Sequence, residues 1–94
     1  MDGSKSYENI RLIIPSQVQK QLDDRLILVE DLQQVIEYAE RSGKKLLNKL
    51  SGHFLAYHKP AAVTYWVEYT REGEAYQIYN AYSHRMEIGE GSAG

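Results

Sequence analysis

The spacing of apolar side chains divides the chain into two halves. In the first, Leu32, Val35, Ile36 and Ala39 recur at three and four residues, which lays them along one face of a helix. Glu30 and Asp31 at its start and Arg41 near its end suit the helix dipole, and Gly43 follows as a C-cap. Upstream, Val18, Leu22 and Leu26 repeat every four residues behind Ser16, with Gln19 at the spacing of a capping box. This predicts a short helix over 17–24. Pro15 separates it from a β-branched run at 10–14 (IRLII) that suits a strand. Residues 26–29 are apolar on every side and read as a buried connection or a short strand. One continuous helix over 16–42 is the rival reading, but Ile27 and Leu28 widen the stripe beyond a single face, so the broken version is preferred.

The second half alternates. Residues 53–58, 63–70, 75–82 and 84–88 read as strands, with Ser83 as a bend between the last two. Arg71-Glu72-Gly73-Glu74 supplies the glycine a hairpin needs. Val63, Tyr65, Val67 and Tyr69 share one face of their strand, and Thr64, Trp66, Glu68 and Thr70 the other. In the next strand strict alternation sets Tyr76, Ile78, Asn80 and Tyr82 against Ala75, Gln77, Tyr79 and Ala81. Neither strand has a plainly polar face, so the helices cover one side of the sheet and something else covers the other. The expected fold is α+β: an antiparallel meander of three or four strands, one or two helices packed on one face, and 10–14 as an added edge. One domain spans 7–88, with residues 1–6 and 89–94 as flexible termini.

Composition narrows the classes. Ninety-four residues make one domain, and 43% hydrophobic with 26% charged is ordinary for a globular chain. A net charge of −2 argues against nucleic-acid or membrane partners recruited by bulk charge. The absence of cysteine removes disulfides, thiolate metal sites and cysteine nucleophiles, and fits a cytoplasmic location. No uninterrupted apolar run exceeds four residues, which is far too short to cross a membrane.

Few residues offer chemistry. His53 and His58 are five apart and point to opposite faces of one strand, so they cannot share a metal. His84 could meet one of them with Glu68 or Glu87, but nothing in the spacing demands it, and no metal is expected. Ser83-His84 are neighbours on a strand and face opposite ways, and no glycine-flanked serine elbow is present. No phosphate loop or dinucleotide fingerprint occurs, so no cofactor is expected. Arg41, Lys44, Lys45 and Lys49 form a basic connection that, beside tyrosines, suggests single-stranded nucleic acid. The aromatic half carries three basic and five acidic residues, which argues against it.

Eight of the ten aromatic residues lie in that half, more than one thin core requires. Tyrosine and tryptophan bury area while keeping a polar end, and they are enriched at protein interfaces. Tyr65, Trp66, Tyr69, Tyr76 and Tyr79 are therefore the interface candidates. A ligand site or catalytic site would draw instead on Tyr57, Glu68, His84, Arg85 and Glu87.

Four blocks carry a resemblance: Asp31-Leu32 with Val35-Ile36 and Tyr38-Ala39-Glu40; Gly52-His53-Phe54-Leu55-Ala56; Thr64-Tyr65-Trp66-Val67-Glu68-Tyr69; and Asn80-Ala81-Tyr82-Ser83-His84-Arg85-Met86. Over residues 26–88 the chain resembles small proteins and appended domains of anaerobic bacteria associated with flavin, pyridine-nucleotide and iron–sulfur oxidoreductase systems. The resemblance implies an accessory or subunit-like part and supplies no catalytic residues; any cluster would belong to the partner. The expected function is a non-enzymatic interaction module, self-associating as a homodimer or serving a larger enzyme. The alternative is a small-molecule-binding or catalytic domain.

Overall fold

The computed structural model describes residues 6–85. A 3₁₀ turn over Ser6–Asn9 leads into β1 (Arg11–Ile13), followed by α1 (Ser16–Asp24) and α2 (Val29–Ser42). Four further strands complete the order: β2 (Leu46–Leu47), β3 (Phe54–His58), β4 (Val63–Glu72) and β5 (Ala75–Arg85). They form one five-stranded sheet in the order β1-β5-β4-β3-β2. All neighbours are antiparallel except β1, which lies parallel to β5 with Leu12 opposite Tyr76. The sheet is thus mixed and larger than the meander expected. The N-terminal run closes one edge in the parallel sense, and Leu46-Leu47, read as part of a basic connection, form a two-residue strand beside Leu55 and Phe54.

The two helices are separate because the chain between them reverses. Ile27 donates to the carbonyl of Leu22 at 2.9 Å and Leu26 to that of Asp23 at 3.2 Å, which is the Schellman closure. It forces Leu26 to φ 57°, the left-handed region. Ile27 then buries while Leu26 and Leu28 face outward, so the connection is not buried throughout as its composition suggested. The amide of Leu28 is capped by Asp31 Oδ2 at 2.8 Å, and α2 ends at Gly43 with φ 77°. At α1 the Ser16–Gln19 box does not form: Ser16 is already helical, Pro15 stands at the N-cap, and no side chain caps the helix.

Both helices lie on the same side of the sheet. Val18 and Leu22 of α1 and Leu32, Val35, Ile36 and Ala39 of α2 join Ala56, Val67, Tyr69, Tyr76, Ile78 and Ala81 in one core. β5 runs unbroken through Ser83, because β4 opposite it is long enough to pair the whole length, from Glu72 against Ala75 to Val63 against Arg85. The register slips once along the way. Tyr69 pairs with Ile78 but Glu68 pairs with Asn80, so Tyr79 is an extra residue on β5, a β-bulge. Strict alternation therefore fails at this point. Tyr76 and Ile78 face the helices, and so does Ala81, while Asn80 and Tyr82 turn to the opposite face. Beyond the reach of β1, the outer edge of β5 is closed at Ala81, whose carbonyl accepts from Arg25 Nη1 at 2.6 Å.

Candidate functional site

The helix-free face of the sheet carries a row of aromatic side chains across three strands. Tyr57 of β3 sits opposite Trp66 of β4, and Trp66 sits opposite Tyr82 of β5. The ring centroids of Tyr57 and Trp66 are 4.8 Å apart, and those of Trp66 and Tyr82 are 6.1 Å apart with planes only 10° from parallel. The bulge at Tyr79 makes this row possible, since it turns Tyr82 away from the helices. Tyr57 is 50% exposed and Tyr82 38%. No helix among the described residues lies over them.

Beside the row is a cleft of about 330 Å³ bounded by Leu46, Asn48, Leu55, Asn80 and Tyr82, with His53 and Glu68 in its lining. His53 Nδ1 and Glu68 Oε2 are 2.7 Å apart. The ring of Tyr79 stacks on His53 at 3.8 Å and 9°, and its hydroxyl is 3.1 Å from the hydroxyl of Thr70. With Glu68 ionised, the neutral imidazole carries its proton on Nδ1 and presents Nε2 as an acceptor. The bulged tyrosine thus clamps the histidine that the carboxylate orients. Chemically this pair can accept a proton or a hydrogen bond from a bound group.

The covered face holds a different polar cluster. Glu40 Oε2 accepts from Tyr69 Oη at 2.7 Å and from Lys45 Nζ at 2.7 Å, and Lys45 lies 4.2 Å over the ring of Phe54. Burial alone would raise the Glu40 carboxyl. Its hydrogen bonds from Lys45 and Tyr69, with the charges of Lys45 and Arg71, outweigh that and hold it below the usual range. Burial and the neighbouring Glu40 carboxylate push the Tyr69 phenol far up. With none of its surface exposed and its hydroxyl held by Glu40, Tyr69 ties α2 to β4.

The residues singled out from sequence are therefore divided between the two faces. Tyr69 and Tyr76 are buried under the domain's own helices, and Tyr65 packs against the same core, so they drop out of any interface on the open side. Trp66 and Tyr79 are on the open side. Of the ligand candidates, Tyr57 joins the aromatic row and Glu68 pairs with His53. His84 lies exposed opposite Thr64, two pairs further along the strands from Tyr82. Arg85 ends β5 opposite Val63, and Glu87 lies outside the described residues, as do most of the expected flexible termini. Of the proposed His84, Arg85 and Glu87 strand, His84 is thus the one candidate whose side chain is described. Tyr82 was missed because of the bulge, which no spacing rule exposes, and the pairing of His53 with Glu68 because it depends on the register of β3 against β4. Among the described residues no three His, Asp or Glu side chains gather as a metal site, and no helix is long and apolar enough to cross a membrane.

Compared with protein-family models, curated proteins and solved structures, the chain matches none.

Proposed function

We propose that the protein is an interaction module whose helix-free sheet face docks another protein surface, in the simplest arrangement a second copy. The observation that carries this reading is the Tyr57–Trp66–Tyr82 row, set across the sheet with no covering layer among the described residues. Leu46, paired with Leu55, extends the apolar area at its β2 end, at 64% exposed. Contiguous apolar surface of this kind on a folded domain is a recurrent mark of a binding face. Tryptophan and tyrosine are the residues in which interface energy concentrates. A two-fold axis through the row would set Trp66 against its own mate, the self-complementary contact that closed dimers use. An accessory role in a larger enzyme would use the same face.

Sedimentation velocity tests it. The wild type should associate at tens of micromolar, and Trp66→Glu should sediment as a monomer with unchanged far-ultraviolet circular dichroism. A monomeric wild type with no partner recovered from extract of its source would defeat the reading.

The second reading, a small-molecule site, rests on the His53–Glu68 pair in the adjoining cleft. It differs in consequence: His53→Asn would abolish ligand binding there and leave association intact.

A further inference from the structure

Between Glu40 and Glu68 the chain has five lysines and arginines and no acidic residue, although its net charge is −2. This stretch brings its cations to the outer edge of β3. There a second cleft, of about 290 Å³, opens between the end of α2 and the strand, lined by Tyr38, Lys44, Tyr57, His58 and Lys59. We propose that this cleft is an anion site that takes a phosphate monoester carried on a small planar molecule.

Three observations carry the assignment. First, three aromatic rings and two ammonium groups form the whole lining, without one carboxylate. The rings of Tyr38 and His58 lie 4.9 Å apart at 33°. Second, the ion pairs among the described residues use Lys45 with Glu40 and His53 with Glu68, and neither Lys44 nor Lys59 has an acidic partner. Third, a further cation outside the lining, Arg41, acts on the histidine of the cleft. Burial, and then the charge of Arg41, hold His58 below the ordinary imidazole range.

A helix C-terminus attracts cations for its own sake, and Arg41 and Lys44 flank the end of α2. The dipole offers only about half a charge, however. Lys59 arrives from the far end of β3 and owes nothing to that helix. The volume lies at the lower end of ligand pockets, room for a phosphate and one ring. A monoester is nearly dianionic at neutral pH, which matches two lysines better than a carboxylate does. Lysine holds phosphate as a point charge, while Tyr38 and Tyr57 supply surface for the ring. Tyr57 is shared with the open face, but Lys44, Lys59 and His58 are not, so the proposal does not rest on the docking reading.

The probes are phenyl phosphate, inorganic phosphate and phenol, followed by the NMR signals of the His58 ring. Phenyl phosphate should give a saturable shift and raise the His58 pKa by about one unit, as a facing anion does. Inorganic phosphate should bind about tenfold more weakly, and phenol should leave the ring unmoved. Lys44→Glu with Lys59→Glu, both exposed positions, should abolish the response. Lys49→Glu, outside the cleft, and Trp66→Glu should keep it. A response unchanged in the double variant, no saturation by about 10 mM, equal binding of the two phosphates, or binding of phenol would each overturn the proposal.

Discussion

Tyr69 and Tyr82 stand on adjacent strands of one sheet, and their surroundings are opposite. Tyr69 is fully buried, its hydroxyl donating to Glu40 and its ring 5.6 Å from that of Tyr76 in an edge-on contact. Tyr82 is 38% exposed and stacks only along the open row. The covered face thus spends its tyrosines on joining helix to sheet, while the open face holds its aromatic rings in a fixed row over which none of the described residues folds. A residue type therefore says little about role until the face is known, and on β5 one extra residue decides the face.

The largest test of the contrast is truncation on the covered side. Ile36→Ala removes a fully buried side chain from the centre of the core and should cost about 2–5 kcal/mol. Tyr57→Ala, on the open face, should cost under about 1 kcal/mol and weaken association instead. Urea melts of both variants decide it: comparable losses would mean that the open row is part of the folding core after all.

Removing single hydroxyls gives a finer comparison. Tyr69→Phe deletes one of two donors to Glu40 and should cost about 1–2 kcal/mol, because the carboxylate keeps Lys45. Tyr82→Phe should change stability by less than about 0.5 kcal/mol.

How much of this was legible follows from the range of each signal. The apolar faces of α1 and α2, the glycine cap at Gly43 and the hairpin at Gly73 are local patterns, and each produced the element it predicts. Three features depend on distant partners. The run at 10–14 was read as an edge strand, but not its parallel pairing with β5, and β2 exists only as a two-residue pairing with β3. The bulge at Tyr79 arises from the pairing of β4 with β5, so alternation along β5 alone misassigned Asn80, Ala81 and Tyr82. That one slip explains why Tyr82 was not joined to the aromatic row from sequence. The His53–Glu68 pair depends instead on the register of β3 against β4, which spacing along either strand does not give. Trp66 and Glu68 were assigned correctly to a shared face because the extra residue lies on β5 and leaves alternation along β4 intact.

Acid sharpens the contrast through Glu40. Its folded-state pKa lies below the unfolded value of 4.5, so the stability it contributes is fully present above that pH and is lost as pH falls through the folded value. His58 acts in the same direction at higher pH. Its folded pKa lies below the ordinary imidazole value of 6.5, so folding favours the neutral ring and loses that contribution as pH falls from about 6.5. Stability measured from pH 7 to pH 3 should decline in two stages. Glu40→Gln should flatten the lower stage and His58→Phe the upper, and a profile unaltered by either would remove both groups from the account.

The smallest expected effect concerns two neighbours in the connection between the helices. Ile27 is 4% exposed and anchors the turn in the core, whereas Leu26 is 86% exposed and holds the left-handed conformation that closes α1. A β-carbon in that region costs roughly 1–2 kcal/mol, and an outward leucine has little packing to offset it. Glycine removes the strain but adds freedom to the unfolded chain, so Leu26→Gly should stabilise the domain by about 0.5–1 kcal/mol. Thermal melts of this variant would rise by a few degrees. A fall instead would show that Leu26 is packed in solution, and a fall that appears only at concentrations where the wild type associates would extend the binding surface from the open face to this corner.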